Sequence, residues 1–81
     1  MVETVVITGA SEGIGLATAH MLSENGVCVI GIARSQPQQE FPGDFYAANL
    51  SDRIETAQVM EKINASHAID GIVNNVGLNI I

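Results

Sequence analysis

Residues Thr8-Gly9-Ala10-Ser11-Glu12-Gly13-Ile14-Gly15 have the types and spacing of a phosphate-binding turn. They follow the β-branched run Val5-Val6-Ile7 and precede a segment of helical character from Ile14 to about Glu24. The first backbone N–H groups of a helix lack intrahelical partners and carry the positive end of the helix dipole, so strand, glycine turn and helix in this order make a seat for a pyrophosphate. Gly9 is expected to turn the chain sharply off the strand, Gly13 to let backbone approach the anion closely, and Gly15 to let the helix pack tightly on the sheet. Thr8 reads either as the closing residue of the strand or as a ligand contact. The glycine spacing is G-x-x-x-G-x-G, distinct from the G-x-G-x-x-G dinucleotide fingerprint. A second polar turn, Asn74-Asn75-Val76-Gly77, ends the last apolar run of the chain.

The elements that must position these turns follow from the apolar pattern. Glu3 to Thr8 reads as β1, a continuous apolar strand of the kind covered on both faces of a parallel sheet. The helix α1 from Ile14 to about Glu24 carries Ile14, Ala17, Met21 and Leu22 at helical spacing, with Ala19 nearby, and Asn25-Gly26 is its stop signal. Val27 to Ile32 reads as β2, completing a βαβ unit with a right-handed crossover. Ser35 to Gly43, polar and with Pro37 and Pro42, reads as a loop free to move. Asp44 to Ala48 reads as a short β3. Ser51-Asp52 is an N-cap signal for α2, with Glu55 in its first turn; Ile54, Ala57, Met60 and Ile63, with Val59 adjacent, form its expected apolar stripe up to Ser66-His67. Ile69 to Asn74 reads as β4.

This pattern predicts an α/β fold: a Rossmann-like, doubly wound parallel sheet of about four strands in the order 3-2-1-4 with two main helices. Residues 1–81 read as one partial nucleotide-binding domain. Strand order reverses between β1 and β4, so a ligand is expected above their C-terminal ends. Both polar turns fall there although some sixty residues separate them.

Thr8-Gly9 with Gly13-Ile14-Gly15 after a first strand resembles the cofactor motif of the short-chain dehydrogenase/reductase family. Asn74-Asn75-Val76-Gly77 resembles that family's Asn-Asn-Ala-Gly motif, with Val76 for Ala. The resemblance covers essentially the whole chain and only the N-terminal part of the family's domain. It implies cofactor contacts from the Gly9–Gly15 turn, including Ser11, Glu12 and Ile14, and from Asn74, Val76 and Gly77 beside the cofactor's ribose. Asn75 reads as tying its turn to neighbouring backbone, and a purely structural reading stands beside the ligand reading for Asn74 as well. Asn49-Leu50 falls where the family usually has Asp followed by Val or Leu, the Asp recognising the adenine amino group. Asn49 keeps a side-chain acceptor, and Leu50 can offer backbone contacts.

The cofactor preference rests on the end of β2. Folds that bind NAD place an Asp or Glu there, about 20 residues past the glycine turn, to hold the ribose 2′-OH. Ala33 occupies that position, and Arg34 follows it. A guanidinium grips a 2′-phosphate bidentately, so NADP(H) is favoured over NAD(H). Glu12 is the dissenting residue: many NADP-dependent family members carry Arg or Lys there, and its charge opposes a 2′-phosphate.

Family enzymes move a proton with a Ser, a Tyr and a Lys, the last two in Tyr-x-x-x-Lys. The sole tyrosine here, Tyr46, has Leu50 where that Lys would stand. The expectation is therefore the NADP(H)-binding part of an oxidoreductase of carbonyls or alcohols, binding nucleotide without turnover and with no catalytic residue of its own. The alternative is a non-catalytic, truncated module that acts by self-association or partner binding. An unpaired β4 edge would favour a homo-oligomer or a covering partner chain.

Composition excludes other classes. The net charge is −6, with only Arg34, Arg53 and Lys62 as cations, which argues against nucleic acid or an anionic membrane as partner. The single Cys28 forms no internal disulfide and reads as core; with no signal peptide and no apolar span of membrane length, a cytoplasmic setting is expected. His20 and His67 have no Cys or carboxylate at ligand spacing, Asp44, Asp52 and Glu55 read as cap and surface charges, and no metal site is expected.

Overall fold

The structure, a computed structural model, describes residues 3–75. Its elements are β1 (Thr4–Thr8), α1 (Gly13–Glu24), β2 (Cys28–Ala33), β3 (Asp44–Ala47), α2 (Arg53–Ser66) and β4 (Gly71–Val73). All strand pairs are parallel and the order is β3-β2-β1-β4, as the apolar pattern predicts. β1 lies centrally, with Val6 level with Ile30 of β2 and Ile72 of β4.

Successive side chains of a strand point to opposite faces, and each face of this sheet carries one helix. Val6, Ile30 and Ile32 pack with Val59 and Ile63 of α2. On the other face Ile7 and Val29 pack with Ala10 and with Ala19 of α1. Phe41 joins this second cluster and meets Phe45 edge-on, with ring centroids 5.5 Å apart. It lies over Gly31 of β2, where a Cβ would come within 2.5 Å of the ring. The 35–43 segment is thus a loop, as expected, but its far end is anchored by an aromatic ring.

α1 turns a different face to the sheet from the one its sequence suggests, and α2 keeps the Val59, Met60 and Ile63 part of its expected stripe while Ile54 and Ala57 fall outside it. In α1 the buried residues are Gly15 and Ala19, with Leu22 half-buried, whereas Ile14 is 73% exposed and Ala17 and Met21 also face solvent. At about 100° per residue, Ile14, Ala17 and Met21 lie roughly opposite Ala19. The small side chains face the sheet because they allow the helix close to β1 and β2. In α2 the buried stripe is Val59 and Ile63 with Thr56 and Met60 half-buried, and Ile54 and Ala57 are outside it. Ile54 sits about 180° round the helix from Ile63.

The caps follow the sequence. Asp52 Oδ1 accepts from the N–H groups of Ile54 (2.9 Å) and Glu55 (3.1 Å), satisfying two orphan donors of α2. After α1, the N–H of Val27 donates to Leu22 O (3.0 Å) across Gly26, whose φ is +82°. His67, the C-cap of α2, joins Asp44 at the start of β3 through Nε2 and Oδ2, 3.0 Å apart.

Candidate functional site

The loops that follow β1, β2 and β3 border one groove of about 870 Å³ at the C-terminal ends of these strands. The loop after β1 contributes Gly9, Ser11, Glu12 and Gly13; the loop after β2 contributes Arg34; the turn after β3 contributes Asn49 and Leu50. Seven of the residues singled out from sequence therefore share one cleft although they come from three separate loops. The cleft also takes in Ser35, Gln36, Gln38 and Gln39, which sequence reasoning did not single out, and Ser51, which it read only as part of the α2 cap. The signal was present in the amide-rich run Arg34-Ser35-Gln36-Pro37-Gln38-Gln39, since polar uncharged side chains after a strand end suit a sugar-phosphate ligand.

The glycine turn is built by backbone geometry. Gly9 has φ +63° and Gly13 φ +61°, values that disfavour any side chain. A Cβ on Gly13 would meet no protein atom within 4 Å, so the space beside it is open. Gly15 does the opposite: a Cβ there would collide with the carbonyl oxygen of Gly9 and come within 2.8 Å of Asn75 Nδ2. Gly15 is thus buried under the turn and does not line the groove, and Ile14 faces solvent rather than the groove.

The first backbone bond of α1 runs from Leu16 N to Glu12 O (3.4 Å), so the N–H groups of Gly13, Ile14 and Gly15 precede the intrahelical ladder. Glu12 is the N-cap residue, but its side chain makes no capping bond and no acidic residue follows in the first turn. These donors and the helix dipole suit an anion. The turn is held on its other side by Ala10 N donating to Ile32 O (3.4 Å) at the end of β2.

The two asparagines after β4 brace this turn. Thr8 Oγ1 donates to Asn74 Oδ1 (2.9 Å) and accepts from the N–H of Asn75 (2.9 Å), while Asn75 Nδ2 donates to Gly9 O (3.3 Å). Thr8 is buried and closes the strand end against β4. Asn74 does not line the groove, and the groove runs from β1 over β2 to β3 rather than between β1 and β4. Val76 and Gly77 lie outside the described residues.

The turn after β3 corrects one expectation. Asn49 does not hold its side-chain oxygen open, because Oδ1 accepts from Ser51 N (3.1 Å) and from Ser51 Oγ (2.6 Å). The N–H of Asn49 in turn donates to Glu55 (2.8 Å). An Asx turn is the reason: a short amide side chain reaches the backbone two residues on more readily than it reaches outward. Arg34 is exposed, and among the described residues it makes no ion pair. No cluster of metal-ligating side chains and no helix able to cross a membrane occurs among the described residues.

Comparison with known proteins agrees with this geometry. The short chain dehydrogenase family profile matches residues 3–81. The 3-oxoacyl-acyl-carrier-protein reductase FabG of Escherichia coli is 37% identical over 90% of this chain and 33% of its own length. The short chain dehydrogenase ausX of Emericella nidulans is 35% identical over 94% of this chain and 42% of its own length. Among solved structures, a short chain dehydrogenase from Leptospira borgpetersenii with bound NAD+ superposes with a TM-score of 0.82 over 91% of this chain and 31% of its own, at 22% identity, a likeness of fold. The chain thus spans only about a third to two-fifths of these proteins.

Proposed function

This chain belongs to the short-chain dehydrogenase family, and on that footing we propose that its glycine-lined groove binds a nicotinamide dinucleotide, NADP(H) in preference to NAD(H). The observation that carries the reading is the convergence of the Gly9–Gly13 turn, Arg34 and the Asn49-Leu50 turn on one groove. The residues present fit such a ligand. Open space lies beside Gly13, where a Cβ would stand, and the donors at the start of α1 suit a pyrophosphate. Arg34, exposed and without a carboxylate partner among the described residues, suits a 2′-phosphate, and Ala33 leaves no acid to bind the 2′-OH instead. Glu12 borders the same groove and limits the preference.

In this reading the chain is the cofactor-binding part of an oxidoreductase that exchanges hydride between NADP(H) and a carbonyl or alcohol. A bound nicotinamide supplies the hydride chemistry. The residues of this chain bind and orient: the α1 N–H groups and Ser11 hold the phosphates, Arg34 selects the 2′-phosphate, and Asn75 and Thr8 fix the glycine turn from β4. Tyr46 has no Lys four residues on, so the 81 residues bind nucleotide without turnover. The lone half-buried Cys28 and the dinucleotide ligand suit a reducing, cytoplasmic setting.

A second reading is favoured by β4, which pairs only with β1 among the described residues and leaves Ile72 60% exposed. An apolar edge strand of this kind is suited to pairing with another chain or a second copy. In that reading the module acts by association.

Titration calorimetry of the 81-residue chain and its Arg34→Ala variant separates these. NADPH is expected to bind more tightly than NADH, and Arg34→Ala to weaken NADPH by about tenfold, the scale of one charge-assisted contact, with a smaller effect on NADH. Equal loss for both dinucleotides would contradict the NADP preference. Absence of binding by the folded chain would leave the associating module as the better reading.

A further inference from the structure

Parallel neighbours such as β2 and β3 need a connection that carries the chain from one end of the sheet back to the other, usually by way of a helix. Residues 34–43 make this crossing without one. Their first part, with Arg34, Ser35, Gln36, Gln38 and Gln39, borders the groove. Yet among the described residues no main-chain hydrogen bond ties 35–42 to the sheet. Something other than backbone pairing must hold this wall.

The holding contact is Phe41, the only large apolar side chain of the segment apart from its two prolines. Its ring packs on the cluster of Ile7, Ala10, Ala19 and Val29 and meets Phe45 edge-on. Gly31 makes the seat: a Cβ there would come within 2.5 Å of the ring tip and 3.1 Å of Ala10 Cβ. The ring and the glycine turn, to which Ala10 belongs, therefore border the same space over β2. Gly43 closes the far end of the segment, since a Cβ on it would run into the carbonyl oxygen of Val29. Gln39 precedes Phe41 by two residues, a reach of at most about 7 Å between Cα atoms. Pro42 stiffens the chain on the other side. Neither Phe41 nor Gly31 borders the groove itself.

On the dinucleotide reading given above, we propose that Phe41 is a positioning residue of the groove: seated over Gly31, it holds the 34–43 strap as a preformed wall and so raises dinucleotide affinity without touching the ligand. With the ring seated, apolar burial offsets the cost of ordering the strap before a ligand arrives. With the ring released, the ligand must order the strap as it binds. Affinity then falls by the fraction of molecules in which the wall is formed.

The contact can be broken from either side, by Phe41→Ala or by Gly31→Ala, whose methyl displaces the ring. Calorimetric titration with NADPH, well below the melting transition, is expected to show each variant weakened about tenfold, as for a wall formed one-tenth of the time. The double variant is expected to lie within about twofold of Phe41→Ala, because the methyl then occupies vacated space. Ile63→Ala, a core loss on the opposite face, is expected to keep its NADPH affinity within about twofold. Trypsin reads the strap without ligand: of its sites Arg34, Arg53 and Lys62, only Arg34 lies in the strap. Cutting there, relative to the other two, is expected to quicken about tenfold in both single variants. Unchanged NADPH affinity in both, or an equal loss in Ile63→Ala, overturns the positioning role and leaves dinucleotide binding intact. Equal cutting after Arg34 in all chains overturns the seat itself. Absence of NADPH binding by the folded, unmodified chain overturns the dinucleotide reading and the positioning role with it.

Discussion

Gly15→Ala is expected to lower stability by about 2–4 kcal/mol, the sum of overpacking at a close backbone contact and the loss of one buried hydrogen bond. The added Cβ would run into the carbonyl oxygen of Gly9 and crowd Asn75 Nδ2. Backbone cannot rotate aside as a side-chain tip can, so α1 must lift from β1 or the Asn75–Gly9 bond must break. In a chain of this size such a loss lowers the melting temperature by about 8–30 °C. Gly13→Ala is the informative contrast. No protein atom opposes its Cβ, so the fold loses only the strain of a left-handed φ, about 1–2 kcal/mol. Its methyl would stand beside the groove, however, and dinucleotide affinity is expected to fall more than stability does. Thermal melts of both variants, compared with their NADPH affinities, check the pair. A Gly15→Ala chain that melts no lower than the Gly13→Ala chain would show that the turn and helix are not locked through that contact.

Ile63→Ala is expected to destabilise the chain by about 2–5 kcal/mol, because it removes a fully buried side chain and leaves a cavity between α2 and the sheet. Ile63 packs with Val6, Ile30, Ile32, Ala48 and Val59, and that cluster joins β1, β2 and the turn after β3 to α2. Ile54→Ala removes the same atoms from a residue that is 71% exposed, and should change stability by less than about 0.5 kcal/mol. Chemical denaturation of the two variants measures the difference. Similar losses for both would mean that α2 packs through a different face from the one described.

These two isoleucines also show where sequence reasoning stops. Strand order was readable because Val5-Val6-Ile7 and Val27 to Ile32 are runs that only a sheet covered on both faces accommodates, and the polar turns must gather at one end of a parallel sheet. The helices themselves were readable from caps and stop signals. The buried face of α1 was not, and that of α2 only through Val59, Met60 and Ile63, because apolar residues occupy both sides: Ile14 and Met21 lie away from Gly15 and Ala19 on α1, and Ile54 opposes Ile63 on α2. Three-dimensional closeness then decides, and small residues win where the sheet is near. That Gly9, Ser11, Glu12, Gly13, Arg34, Asn49 and Leu50 border one groove was legible, because each follows a strand end. The Asx turn at Asn49 was not, since the bond to Ser51 depends on how the chain enters α2. Nor was the anchoring of the 35–43 loop, which needs the space over Gly31 to receive Phe41.

The central claim is that one groove, built from the loops after β1, β2 and β3, holds a dinucleotide. Amide chemical-shift mapping of the isotopically labelled 81-residue chain during titration with NADPH tests it most directly. The predicted result is saturable shifts at Gly9, Ser11, Gly13, Arg34 and Leu50, with the C-terminal half of α2 and the start of β1 unmoved. Shifts confined to Ile72 and Val73 on β4, or no shifts in a chain whose spectrum shows it folded, would contradict the account.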